Sequence, residues 1–187
     1  MKQGRIIVIC APSGTGKSTL IEKLKTDHPD LMWSISCTTR PIRAGETHGK
    51  EYFFITREEF EQKIKDQLFI EYAQVHSNYY GTSREFIDQG LVQGFKMLFD
   101  LDVQGADAIK KIYGDKSKVI FIEPPSVVEL ERRLRGRGTD ADHVILERIA
   151  NAKNELLRKH HYDYLIMNDD VDAAYKKLKA IVEEILL

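Results

Sequence analysis

Two kinds of apolar pattern alternate along the chain. Short unbroken runs that suit strands buried on both faces occur at Arg5 to Cys10, "FKMLFDLD" (95–102), "KVIFI" (118–122) and "DYLIM" (163–167), and each is followed by a stretch of helical period. The first of these helices is expected over about Gly16 to Thr26. The last carries the clearest period: Ala174, Leu178, Ile181, Val182 and Ile185 make one stripe that can lie on a sheet, with Lys and Glu on the other face. Strands that alternate with helices in this way predict an α/β fold, a parallel-sheet core flanked by helices.

Two segments break the rhythm. Residues 34 to about 82 contain the strand-like pieces "WSISCTT", "EYFFI" and "LFIEYA" around one helix, whose start is marked by the Thr56 and Glu59 capping box. This segment is expected to be a small inserted lobe. Residues 126 to about 160 hold two helices. One opens at a Ser126 and Glu129 capping box after Pro124-Pro125 and closes at Gly136 and Gly138; the second runs from about Ala141 to His160. They are expected to form a helical lid. The core then comprises about 1–33, 83–125 and 161–187.

Composition narrows the function. A chain of 187 residues with 42% hydrophobic content suits one compact domain, and a net charge of −1 provides no domain-wide field to steer it onto nucleic acid or an acidic membrane. Any anion site must be local, and neither nucleic acid nor membrane is expected as a partner. Cys10 and Cys37 sit in no framework of spacings, and the apolar run in "MKQGRIIVICAPSG" is too short for a signal peptide or a span. The expectation is a reduced, cytoplasmic chain with two buried thiols. No His/Cys cluster has metal-ligand spacing; His160 and His161 end a helix, and Trp33 and the phenylalanines read as core.

The local anion site is "APSGTGKST", residues 11–19. It departs from G-x-x-x-x-G-K-[ST] only at Ala11, whose methyl is tolerable if its φ is negative. Gly14 and Gly16 let the backbone approach phosphates closely, Lys17 supplies charge, Ser18 a hydroxyl for Mg²⁺, and a helix N-terminus stands behind them. Ala11, Pro12, Ser13, Gly14, Thr15, Gly16, Lys17, Ser18 and Thr19 are therefore the expected ATP loop. Downstream, "MLFDLD" resembles the apolar strand that ends in an acidic residue beside such a loop, so Asp100 or Asp102 would hold Mg²⁺ through water, or would cap a helix.

The remaining motifs identify the acceptor. In order along the chain, the loop is followed by "TTRPIRAGE…GKEYFF", "FIEYA", "NYYGT", "LDVQG", "GRG" and "NDD", and in this combination the sequence resembles guanylate kinases over essentially its whole length. The resemblance implies ATP:GMP phosphotransfer, with Mg²⁺ and an inserted GMP-binding lobe. It implies that Ser36, Glu71 and Thr82 meet the guanine and that Arg40, Arg43, Tyr52 and Tyr80 hold the phosphate of GMP, with Asp102 on the acceptor side and Asp100 with Ser18 at the metal. It further implies that Lys17, Arg43, Arg133, Arg137 and Arg148 serve the transferring phosphoryl group, and that Asn168 and Asp169 lie beside adenine, where they would also cap the last helix. Ala11 and Cys37 depart from the family pattern without removing a catalytic group.

The residue chemistry agrees. Arg40 and Arg43, three apart, can present two guanidinium forks to one phosphate, and Tyr52 and Tyr80 can donate hydroxyls. A phosphate acceptor has a second pKa of about 6 and needs no general base; the obstacle is repulsion between anions, which positive charge relieves. Two rivals remain: a related kinase with another acceptor, such as a ribosyl bisphosphate, and a non-enzymatic guanylate-kinase-like module that holds a phosphopeptide. Glu71 with Ser36 and Thr82 argues against the first, and Lys17, Ser18, Arg137 and Arg148 against the second. A homo-oligomer is left open.

Overall fold

The computed structural model describes residues 4–75, 77–136, 138 and 140–187. In chain order the strands are β1 (Arg5–Cys10), β2 (Met32–Trp33), β3 (Cys37–Thr38), β4 (Phe53–Phe54), β5 (Phe69–Val75), β6 (Asn78–Ser83), β7 (Lys96–Leu101), β8 (Ser117–Glu123) and β9 (Tyr164–Met167). The helices are α1 (Lys17–Asp27), α2 (Arg57–Lys65), α3 (Arg84–Val92), α4 (Val103–Tyr113), α5 (Val127–Gly136), α6 (Asp142–Leu156) and α7 (Val171–Leu186). The described residues divide into two compact units, one within 6–31 and 98–187 and one within 4–5 and 32–97.

In the larger unit the sheet runs β7, β1, β8, β9, with β1 parallel to β8 and β8 parallel to β9. Every residue from Ile6 to Cys10 and from Val119 to Ile122 is fully buried. That is why these strands read as continuous apolar runs: helices cover both faces of a parallel sheet, and no position is left for an alternating polar residue. On α7 the expected stripe is realised by Ala174, Leu178 and Val182, with Ile181 and Ile185 half-buried at its margin. Against one another α5 and α6 bury Leu130, Leu134, Ile145, Ile149 and Ala152.

The last of these helices is shorter than the sequence predicts. It stops at Leu156, and a 3-10 turn at Lys159–His161 follows. The tighter turn brings Tyr162 back onto the sheet, where its ring stacks on Phe121 at 5.4 Å and its hydroxyl donates to Asp107 at 3.0 Å. Only half of the capping box at α5 forms. Ser126 Oγ accepts from Glu129 N–H at 3.0 Å, but the Glu129 carboxylate turns to Arg132 and Arg133, which hold it down at about 2.

The smaller unit carries a sheet in the order β4, β3, β6, β5. Here β5 and β6 form an antiparallel hairpin, β6 pairs antiparallel with β3, and β3 pairs parallel with β4. The capping box of α2 is complete, Thr56 Oγ1 accepting from Glu59 N–H and Glu59 Oε2 from Thr56 N–H. Phe60 of that helix is fully buried, stacked against Phe69 at 4.2 Å and Tyr79 at 5.1 Å. Of "WSISCTT" and "EYFFI", only Trp33 at the end of β2, the two residues of β3 and the two of β4 are strand. The segment between them is turn, with Gly45 and Gly49 at positive φ. Cys10 and Cys37 are both free and buried, as expected.

Candidate active site

In the larger unit β1 ends at Cys10 and the chain turns at once into the phosphate loop. Gly14 and Gly16 take φ of +92° and +87°, conformations that favour glycine. A Cβ on Gly14 would stand 2.9 Å from Leu134 Cδ2, and one on Gly16 only 2.6 Å from Asn168 Nδ2. Ala11 is not among the residues at positive φ, so its methyl is unstrained. Gly16 caps α1 without a side-chain bond, and no acidic residue sits in the helix's first turn. The positive end of the helix therefore faces an open loop, the arrangement that attracts phosphate.

Lys17 reaches back across the sheet. Its ammonium donates to Leu101 carbonyl at 2.7 Å and pairs with Asp100 Oδ1 at 2.5 Å. The two aspartates of "MLFDLD" have separate tasks: Asp102 caps α4 by accepting from Gly105 N–H at 2.8 Å, while Asp100, half-exposed, answers Lys17. Together with residues 11–19 they line a cleft of about 470 Å³ that Glu155 of α6 completes. Sequence reasoning missed Glu155, because a carboxylate near a helix end carries no pattern of its own. Burial, and then the charge of Asp102, pushes its carboxyl up, against the pull of Lys17.

Arginines close around the loop from α5 and α6. Arg133 donates to Thr15 carbonyl at 3.2 Å and to Asn168 carbonyl at 3.0 Å, and Arg148 donates to Ser13 Oγ at 3.3 Å and pairs with Asp140. Arg137 lies outside the described residues. Asn168 is buried and donates its amide to Thr15 carbonyl at 2.7 Å, so it holds the loop directly. The capping expectation for "NDD" needs correction. Asp170 caps α7 through Ala173 N–H, while Asp169 accepts only from Asp170 N–H, one residue too early to reach the helix's free donors.

The expected acceptor residues other than Asp102, which belongs to the larger unit, lie in the smaller unit. Glu71 and Thr82 are register partners on β5 and β6, and Thr82 Oγ1 donates to Glu71 Oε1 at 2.5 Å. Ser36 directly precedes Cys37 of β3, which pairs with Gly81, and its carbonyl accepts from Phe53 N–H at 2.9 Å. Arg40 lies 5.6 Å from the Tyr52 ring, which meets Tyr80 edge-on at 5.9 Å. Arg43 is exposed; its backbone N–H donates to Glu46 Oε2 at 2.8 Å, and Arg40 donates to the other oxygen of the same carboxylate at 2.7 Å. Glu46 is the second residue that sequence reasoning missed, although "RPIRAGE" places an acid three residues beyond Arg43 and six beyond Arg40.

Residues 3–185 match the family model for guanylate kinase. The chain belongs to the guanylate kinase family. It is 48% identical over 184 residues to the guanylate kinase of Escherichia coli strain K12, and equally so to that of Salmonella typhi, with 97% of this chain aligned to 88% of each relative. Among solved structures it resembles guanylate kinase from Anaplasma phagocytophilum, with a TM-score of 0.69 and 30% identity across 100% of this chain and 88% of the other. Family membership makes this a nucleoside monophosphate kinase, and the predicted α/β class with its phosphate-loop core stands. Among the described residues no helix is long and apolar enough to cross a membrane.

Proposed function

We propose that this protein transfers the γ-phosphoryl group of ATP to GMP, or to dGMP, yielding ADP and GDP in purine nucleotide metabolism. The observation that carries the choice of acceptor is the Glu71 and Thr82 pair, set side by side by strand register. Guanine presents N1–H and its N2 amino group together, two donors that one carboxylate accepts at once. Adenine has a lone pair at N1 and no amino group at C2, so it would leave the carboxylate unpaired. Arg40, Tyr52, Tyr80 and Arg43 would bind the acceptor phosphate, Arg40 being held ready by Glu46.

On the donor side the loop amides and the N-terminus of α1 would cradle the phosphates, and Lys17 would exchange Asp100 for the β and γ oxygens. Arg133, Arg137 and Arg148 would stabilise the transferring group from the lid; Arg133 has to leave the Thr15 and Asn168 carbonyls to do so. Asn168 and Asp169 would border the adenine. The donor set suits Mg²⁺ bound chiefly through phosphates and water, since among the described residues no three His, Cys, Asp or Glu side chains converge to hold a metal on their own. Ser18 and Asp100 are the residues that would hold it, and its charge would offset that of the β and γ oxygens. Asp102 would contact the acceptor. A cytoplasmic setting fits this nucleotide chemistry.

A coupled assay of ADP formation from ATP with GMP, AMP, CMP and UMP in turn tests the proposal. GMP should support turnover at least ~100-fold faster in kcat/KM than AMP. Binding of GMP without turnover would point instead to a binding module, and equal use of AMP would remove the role given to Glu71.

A further inference from the structure

The phosphate cleft is unusually acidic for a place that receives phosphates. Three carboxylates, Asp100, Asp102 and Glu155, line it together with one ammonium, that of Lys17. Two of the three are engaged: Asp100 by Lys17 at 2.5 Å, and Asp102 by the Gly105 N–H at 2.8 Å. Glu155 differs. Among the described residues its carboxylate has no hydrogen-bond or ion-pair partner; it feels the charges of Asp102 and Lys17, and Lys17 is already in contact with Asp100. Of the three carboxylates it is the one without a direct partner among the described residues.

A nucleoside triphosphate or diphosphate brings three to four negative charges of its own. Without a cation it meets this wall as a like charge, whereas its divalent-cation complex meets it with most of that charge cancelled. We infer that Glu155 is a specificity-determining residue which makes the donor cleft favour the divalent-cation complex of the nucleotide over the free nucleotide. The inference rests on the reading of the cleft as the donor site. Two features suit Glu155 to the task. It stands at the edge of α6, outside that helix's buried set of Ile145, Ile149 and Ala152, so packing does not decide its identity. It also lines a second, polar cleft of about 270 Å³ with Gln104, Asn151, Asn154 and Arg158, so a neutral polar side chain there keeps its surroundings. Arg158 of that cleft is paired with Asp107 and does not neutralise it.

The test is an equilibrium titration of the full chain with ADP, once with excess Mg²⁺ and once with EDTA, for the parent, Glu155→Gln and Glu155→Asp. One like charge removed a few ångströms from a polyphosphate should tighten binding of metal-free ADP on the order of ten-fold in Glu155→Gln. Binding of the Mg²⁺ complex should change by less than about three-fold, because the cation already offsets the phosphates. Glu155→Asp, which keeps the charge, should retain the parent's ratio, and the Gln effect should shrink in ~1 M salt. If Glu155→Gln does not melt cooperatively, Glu155→Ser takes its place. An unchanged ratio in the neutral variant, or an Asp variant that behaves like Gln, overturns the inference while leaving the assignment of the cleft intact. Failure of ADP to bind under either condition sinks both.

Discussion

The proposed donor and acceptor sites are built in opposite ways. The donor loop is nine consecutive residues, 11–19, whose backbone does most of the work: two glycines at positive φ and the open end of one helix. The proposed acceptor residues, Asp102 apart, are scattered from Ser36 to Thr82, and they would act through side chains carried on or beside β3, β4, β5 and β6, which pair into one sheet. A phosphate can be held by amides, which every residue owns, so its site compresses into a local motif. A base must be distinguished by hydrogen-bond pattern, which needs particular side chains brought from several strands. The proposed donor site is therefore shaped by local geometry, and the proposed acceptor site by strand register.

Substitution can separate these two kinds of site. The largest effect is expected at Lys17, the one charged side chain the donor loop contributes. Lys17→Met should lower kcat by about two to four orders of magnitude, as loss of a preorganised charge at a transferring group does, while the melting temperature stays near the parent's. Near-parental turnover in the folded variant would contradict the view that this loop is catalytic. Glu71→Gln comes next. It keeps the shape of β5 and turns one acceptor into a donor facing guanine N–H, so kcat/KM for GMP should fall by about 10- to 100-fold, equivalent to about 1 to 3 kcal/mol. The affinity for ATP should be unaffected; a matching loss on the donor side would break the separation of the two sites.

The smallest effect sharpens the contrast within the acceptor unit. Glu46 touches no expected ligand but fixes Arg40 and the backbone at Arg43. Glu46→Gln should raise KM for GMP by about three- to ten-fold with kcat little changed, the signature of lost positioning rather than lost chemistry. The same contact has a pH dependence. Arg40 above all, and then the Arg43 N–H, holds the Glu46 carboxyl below the usual glutamate value of 4.5. A depressed value means the contact contributes fully above pH 4.5 and is lost as pH falls through the lower, folded value. Affinity for GMP should therefore weaken on acidification below that point in the parent, and do so less in Glu46→Gln; a parallel loss in both would assign the pH effect to another group.

What could be read in advance follows the same division. The phosphate loop, the buried strands of the larger unit and the stripe of α7 were legible because period and local spacing encode them, and the capping box at Thr56 located α2 to the residue. Errors arose where a distant contact overrode a local signal. At Glu129 two arginines drew the carboxylate away from its cap, and at Leu156 the return of Tyr162 to Phe121 ended a helix whose pattern ran on. Asp100 and Asp102 are equivalent as letters in "MLFDLD". They part only because Asp100 lies inside β7 and meets Lys17, while Asp102 stands just past the strand's end and opens α4.

The sequence by itself determined the α/β class, the family and the glycine-rich loop, since each is carried by short local motifs that follow one another in a fixed order along the chain. Only the tertiary structure decided which aspartate answers Lys17, that Glu46 anchors Arg40, that Asn168 clamps the loop at Thr15, and that Glu155 stands in the cleft. Those relations join residues as many as 153 positions apart, and a carboxylate or an amide has no preference for such a partner until packing of the sheet and its helices brings the two into contact.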